Sequence, residues 1–352
     1  MRYKSCDWIE SGISFDVNSY KVCCLYSSKS GGNTIVKENY NGEKIDWDTF
    51  FEFKNEIKKL HKNGKINKKC IGCVNLVEED WESEKSKVSI INLDYWTKCN
   101  SCCSYCFTMK DKEKYNLYKN YKFLPILEDM LQNNILSPNG YISFGGGEVT
   151  LLDEFEVILN KLIDFGFTHI KIHTSCIEYS QAIERGLENG CIELIVSVDS
   201  GSKTMHEKIK QVKSYVNVWE NLKKYAQHQK GTSVVKTKYI LIPNVNDSIS
   251  EIDLWLEKSK EIGVNSVLQE IESEWFYSRR DNVPDYVIKY FDYAKQKADE
   301  LGLNYDLYER AQHMFAFYNE KKSNFILWCV KNFVYRISNL KSKIFSFLSR
   351  LC

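Results

Sequence analysis

The chain has 352 residues, 43% of them hydrophobic and 27% charged, with 48 Lys plus Arg against 47 Asp plus Glu for a net charge of +1. That composition suits a packed core in a chain longer than one ordinary domain, which excludes intrinsic disorder, a fibrous repeat and nucleic-acid binding driven by overall charge. The opening MRYKSCDWIESG has no apolar signal core and no long uncharged apolar run follows, so a cytoplasmic protein without a membrane span is expected.

Residues 1–87 read as a small α+β unit. Gly12–Phe15 alternates in strand fashion, and Tyr20–Tyr26 follows as a second strand before a polar turn at Ser30–Asn33. A helical stretch near Trp47–Leu60 leads into Lys69-Cys-Ile-Gly-Cys73. So short a segment has too little apolar area for an independent core, and a bound metal would supply the missing stability.

From Val88 to residue 310 short β-branched runs alternate with longer amphipathic ones. The strands are placed at Val88–Leu93, Tyr141–Phe144, Ile170–Thr174, Leu194–Val198, Thr237–Ile242 and Ser266–Ile271. Helices are placed at Tyr121–Gln132, Glu154–Phe165, Ser180–Glu188, Glu207–His228, Ser250–Ile262 and Pro284–Leu301. Six successive βα units predict an α/β fold with one parallel sheet. A tail over 311–352 closes the chain. From Phe325 to Cys352 its apolar residues recur every three or four positions, and Lys331, Arg336, Lys341, Lys343 and Arg350 fill the other face. This spacing predicts a basic amphipathic helix that packs on the barrel, meets a protein partner or lies on an anionic membrane surface.

Thirteen cysteines in a chain without a secretory signal point to metal or iron–sulfur ligation, because most of them are bunched. The densest group is Tyr95-Trp-Thr-Lys-Cys-Asn-Ser-Cys-Cys-Ser-Tyr-Cys-Phe107, directly after the first βα strand. Cys99, Cys103 and Cys106 follow C-x3-C-x2-C, and three thiolates hold three irons of a cubane while leaving the fourth open for a ligand. Counting Cys102 as well gives two adjacent C-x2-C pairs, an alternative zinc site, although structural zinc usually takes its two pairs from separated knuckles.

The loop C-x3-C-x-aromatic-C, with Tyr105 as the aromatic residue, resembles the radical S-adenosylmethionine (SAM) superfamily. The alternation after Val88 is similar to that family's partial (β/α)6 barrel, and Gly146-Gly147-Glu148 after the second strand resembles its GGE motif. The resemblance implies a [4Fe–4S] cluster on Cys99, Cys103 and Cys106, and a cofactor site that includes Tyr105, Gly146, Gly147, Glu148 and Thr174. Ser197 and Asp199 resemble the family's fourth-strand positions near the cofactor ribose, and Lys238 resembles a fifth-strand basic residue facing the cofactor carboxylate. His173 is expected to be a packed strand residue. Glu270, Glu272, Glu274 and Tyr277–Arg280 line a substrate mouth or form a solvated loop.

Cys6, Cys23 or its neighbour Cys24, Cys70 and Cys73 resemble twitch and SPASM auxiliary-cluster domains, here ahead of the barrel. That likeness implies a second, fully ligated [4Fe–4S] cluster on Cys6, Cys23, Cys70 and Cys73; a structural zinc fits the same thiolates. The implied activity is reductive cleavage of SAM to a 5′-deoxyadenosyl radical that takes hydrogen from a peptide, small molecule or carbohydrate. Electrons would come from a flavodoxin or ferredoxin. The alternative is a non-catalytic iron–sulfur or zinc protein serving as carrier or scaffold.

Overall fold

The computed structural model describes residues 2–23, 34–71, 73, 75–81, 87–110, 121–279 and 282–319. The polar turn at Ser30–Asn33, Cys24 and the basic helix expected from Phe325 to Cys352 lie outside the described residues. Among the described residues no helix is long and apolar enough to cross a membrane.

In chain order the N-terminal elements are β1 (Arg2–Ser5), α1 (Asp7–Ser11), β2 (Gly12–Asp16), β3 (Ser19–Lys21), β4 (Ile35–Glu38), α2 (Trp47–Lys62) and β5 (Val77–Asp80). There follow β6 (Val88–Asp94), α3 (Phe107–Lys110), α4 (Leu124–Gln132), β7 (Leu136–Phe144), α5 (Phe155–Phe165), β8 (His169–Thr174), α6 (Gln181–Glu188) and β9 (Ile192–Ser197). The chain continues with α7 (Lys203–Lys210), α8 (Tyr215–Gln227), β10 (Val234–Leu241), α9 (Ile249–Glu261), β11 (Ser266–Ile271), α10 (Ser273–Arg279), α11 (Asp285–Glu300) and β12 (Asn304–Leu307). A final helix, α12, spans 309–319.

One sheet of ten strands runs in the order β12-β11-β10-β9-β8-β7-β6-β2-β3-β4, parallel from β12 to β2. The six βα strands sit side by side in chain order, the topology of a partial barrel. Helix starts are secured locally: Ser180, Ser202 and Ser248 cap α6, α7 and α9 by accepting from Ile183, Met205 and Glu251 backbone N–H groups. One face of each strand is apolar and packs under the helices. Phe144 meets Phe155 of α5 edge to face, and Tyr239 packs on Trp255 of α9, whose indole N–H donates to Thr237. The other face is polar, unlike the interior of a filled barrel. Lys171 of β8 and Lys236 of β10 both pair with Glu193 of β9 at the base of the lumen.

Three features differ from the sequence reading. The change of character at residue 88 is not an edge of the sheet, because β2 hydrogen-bonds in parallel to β6 and carries β3 and β4 with it. The N-terminal segment therefore extends the barrel wall; only β1 and β5 form a separate two-stranded sheet. The helix expected across Glu207–His228 is two helices, broken where Gln211 adopts a left-handed φ of 54°. The 311–352 tail begins inside α12, whose Ala311 and Met314 are fully buried.

Candidate functional site

The cysteine loop is held from three sides. Tyr95 and Trp96, buried at the end of β6, anchor its start: Tyr95 stacks on Tyr121 and donates to Glu154 at 2.8 Å, and Trp96 packs near Phe144. The backbone of Gly147 and Glu148 donates to the carbonyls of Trp96 and Lys98 at 3.0 and 2.8 Å. On the far side, Cys102 and Ser104 N–H groups donate to the carbonyls of Lys210 and Ile209 at the end of α7. This strapping brings the thiols of Cys99, Cys103 and Cys106 within electrostatic reach of one another. Desolvation by the packed loop raises the Cys99 thiol to about 11 and that of Cys103 as well, with the Lys210 ammonium pulling Cys103 the other way. Cys99 and Cys102 are still exposed to solvent, and Cys103 and Cys106 are half-buried.

Beneath the loop lies a buried triad that sequence reasoning only partly found. Asp199, fully buried with a left-handed φ of 58°, pairs through Oδ2 with the Lys210 ammonium and accepts from the Tyr105 hydroxyl at 2.5 Å. Its Oδ1 accepts from Ile240 N–H at 2.9 Å. The Lys210 ammonium also donates to the Tyr105 hydroxyl, at 3.1 Å. Burial opposes ionisation of Asp199, but Lys210 beside it and the Tyr105 hydrogen bond hold its carboxyl below the usual range. All three polar functions are thus spent on one another, and Asp199 supports the loop from below rather than opening toward a ligand. Lys210 was missed because it sits inside what the sequence suggests is one continuous helix; the only local signal is a lysine at a helix end.

The glycines have a different reason from the one the sequence suggests. A Cβ on Gly145 would lie 2.2 Å from Asp94 Oδ1, on Gly146 2.8 Å from the Trp96 carbonyl, and on Gly147 2.2 Å from the Lys98 carbonyl. Gly146 and Gly147 admit the backbone of the cysteine strap and Gly145 makes room for the Asp94 carboxylate, so the two motifs form one interlocked unit. The Glu148 carboxylate, 2% exposed, accepts from the Thr174 hydroxyl at 2.6 Å, Ser175 N–H at 2.6 Å and the Thr150 hydroxyl at 2.9 Å. It fixes the end of β8 to the strand-end turn after β7.

The lumen below carries Ser197 and Lys238, register partners on β9 and β10. Lys238 Nζ lies over the Tyr308 ring at 5.2 Å, and burial lowers its pKa against the opposing pull of Asp199 and Glu270. His173 also faces this space and meets the Tyr308 hydroxyl at 3.2 Å; burial, with the Lys238 and Lys171 ammonium groups nearby, draws its pKa well down. Glu270 is fully buried and accepts from Ala311 N–H at 2.9 Å at the start of α12. Glu272 caps α10 through Trp275 N–H at 2.7 Å, and Glu274 pairs with Lys110 of α3, clasping the sixth βα unit to the first across the mouth.

At the other end of the sheet a second group of thiols converges. Cys6 sits between β1 and α1, Cys23 follows β3, and Cys70 and Cys73 share a turn closed by Cys73 N–H donating to the Cys70 carbonyl at 3.1 Å. Cys6 and Cys70 each feel the other thiols of the set; burial pushes Cys6 up to about 11, partly offset by N–H donors from Ile9 and Trp8, and Cys70 up to about 12. Four thiols from three chain segments, one already receiving backbone N–H groups, are a donor set for a thiophilic centre.

A family model described as the Radical SAM superfamily matches residues 94–256, the stretch that contains the cysteine loop, the glycine turn and the triad. Residues 94–256 are a radical SAM domain. In fold it is similar to SuiB of Streptococcus suis, with a TM-score of 0.52 and 15% identity over 80% of this chain and 59% of SuiB. Against SuiB bound to precursor peptide SuiA the likeness covers 91% of this chain and 75% of SuiB, at a TM-score of 0.50 and 14% identity. A curated relative, the 7,8-dihydro-6-hydroxymethylpterin dimethyltransferase of Methanocaldococcus jannaschii, is 26% identical over 96 residues, which is 27% of this chain and 19% of that protein. The chain thus spans about three-fifths of SuiB and a fifth of the dimethyltransferase. The radical SAM domain makes this protein an enzyme of that superfamily, with SAM and a [4Fe–4S] cluster as its cofactors. The residues present fit the cluster: three converging thiols on a strapped loop, with the Lys210 cation buried below them.

Proposed function

We propose that the protein reductively cleaves SAM and uses the resulting 5′-deoxyadenosyl radical to take hydrogen from a carbon of a peptide substrate. The observation that carries this reading is the interlock of the cysteine strap with Gly145–Glu148 above a polar lumen. When bound, the cluster supplies the electron and the cofactor supplies the radical. In this reading Cys99, Cys103 and Cys106 hold three irons, and Tyr105, Gly146, Gly147, Glu148, Thr174, Ser197 and Lys238 surround the cofactor. Asp199 serves the site by fixing Tyr105 and Lys210. Its full burial gives no support to the ribose contact expected from sequence. The polar lumen admits a ligand that a filled apolar barrel would exclude. The extent of the likeness to peptide-bound SuiB supports a peptide over a small molecule as the substrate class.

In the same reading Cys6, Cys23, Cys70 and Cys73 hold an auxiliary [4Fe–4S] cluster, and a flavodoxin- or ferredoxin-like carrier delivers the electrons.

Anaerobic reconstitution followed by an assay for 5′-deoxyadenosine tests the activity. The expected result is about eight irons per chain, four for each cubane, and deoxyadenosine formed from SAM and dithionite. Cys103→Ala is expected to abolish that product, and turnover surviving the substitution would refute the assignment.

A further inference from the structure

The buried face of α2 carries Trp47, Phe50, Lys54, Ile57, Lys58 and His61. Such a helix face is ordinarily an apolar stripe. Here its second half is basic, and the helix packs on β1 and α1, the two elements that flank Cys6. Lys58 is accounted for: its ammonium pairs with Glu10 at 3.1 Å, and Glu10 also accepts from Tyr3 and Ser5. His61 is likewise satisfied, by the Lys4 carbonyl and Asn67 N–H at 2.9 Å each.

Among the described residues Lys54 is not matched by any carboxylate. It is 1% exposed, donates to the Gly12 carbonyl at 3.1 Å and lies 5.5 Å from the centre of the Phe50 ring. Among the described residues no carboxylate comes within ion-pair distance of it, and Glu10, which acts on it electrostatically, is held by Lys58. Burying an ammonium without a counter-ion costs several kcal/mol. The other group that favours its charged form is the Cys6 thiol, while the neighbouring Lys58 ammonium works against it. Four metal-bound thiolates carry net negative charge with either a divalent ion or a cubane core, because the thiolates outweigh the metal.

We propose that Lys54 is the charge-compensating residue of the N-terminal cysteine site. Its buried ammonium offsets the charge of the metal-bound thiolates at Cys6, Cys23, Cys70 and Cys73 and makes that centre easier to reduce. The proposal rests on reading those cysteines as a metal centre. It gives α2 a role that packing alone does not explain.

The test uses the full chain with Cys99, Cys103 and Cys106 changed to Ala, so that only the N-terminal centre loads, with and without Lys54→Met. Three quantities are compared: the midpoint potential after iron–sulfide reconstitution, by dithionite titration followed by electron paramagnetic resonance; the affinity for Co²⁺, by thiolate-to-cobalt absorption; and the thermal midpoint of the metal-free chain. Lys54→Met is expected to lower the reduced-to-oxidised ratio about tenfold at fixed potential, or 59 mV for a one-electron couple. It is expected to weaken Co²⁺ binding about tenfold, the scale of an outer-shell change at a metal site. The metal-free chain is expected to be as stable as before or more so, since an uncompensated buried charge has gone. Unchanged potential and cobalt affinity would overturn the proposal, as would a fall in metal-free stability that accompanies weakened metal binding. A parent that binds cobalt but no iron–sulfur cluster refutes the auxiliary-cluster reading alone, and the cobalt comparison still decides the role of Lys54. A parent that binds neither overturns both.

Discussion

Lys210→Met is the most informative single substitution in the radical SAM domain. Lys210 and Asp199 are 3% and 0% exposed, and their ion pair sits directly under the cysteine strap. Removing the ammonium leaves the carboxylate with the Tyr105 hydroxyl and Ile240 N–H as donors but no ion-paired cation, since Lys238 acts on it only from beyond ion-pair distance. Breaking one side of such a buried pair costs about 3–5 kcal/mol, whereas replacing both partners by uncharged groups is close to neutral. A double-mutant cycle with Asp199→Asn should therefore be strongly non-additive, with the double variant more stable than Lys210→Met alone. Urea unfolding of the metal-free chain, followed by fluorescence and circular dichroism, measures each corner. The pH dependence follows from the two shifts. Asp199 is lowered, so its contribution is present above the unfolded carboxylate pKa of about 3.9 and fades as pH falls through its folded value. Lys210 is raised, because Asp199 outweighs its burial, so its contribution is present below about 10.4 and fades as pH rises through its folded value. The gap between wild type and Lys210→Met should be flat between about pH 5 and 10 and close toward either extreme. A loss within about 1 kcal/mol, the size of an exposed pair, or an additive cycle would refute the reasoning.

Gly147→Ala places a Cβ 2.2 Å from the Lys98 carbonyl, so the cysteine strap must move; iron bound by the barrel site should fall sharply in reconstituted protein, and full iron retention would contradict the interlock. Glu148→Gln turns an amide N–H₂ toward donors already aimed at the carboxylate, at Thr174 and Ser175. A loss of about 1–3 kcal/mol in denaturant unfolding is expected, together with weaker SAM binding by equilibrium dialysis; wild-type values of both would count against the assigned role. Glu274→Gln breaks only the exposed clasp to Lys110 and should change stability by less than about 1 kcal/mol, so a large shift in the unfolding midpoint would show that the clasp holds more than its own pair.

What the sequence by itself determined lies within single elements. The C-x3-C-x2-C spacing is local, so the ligand loop was legible, and each βα unit announced itself by a change from strand to helix periodicity. Helix breaks that depend on one residue adopting a left-handed backbone, as Gln211 does, leave no trace in that periodicity. The sheet's extension through β2 was equally hidden, because a short alternating strand such as Gly12–Asp16 does not say which neighbour it pairs with; the register to β6, 78 positions away, is a tertiary choice. The polar lumen was hidden for the same reason: alternation along β8–β10 reveals two faces but not that the polar ones meet as the Lys171–Glu193–Lys236 chain. Only the folded chain brought Tyr105 to Asp199, 94 positions apart, and set the Lys210 ammonium beside them. It also gave the glycines their work, since the backbone they admit comes from a different βα unit. Spacing encodes what one element can hold, whereas the charge that balances a buried carboxylate or thiolate comes from whichever element packs against it.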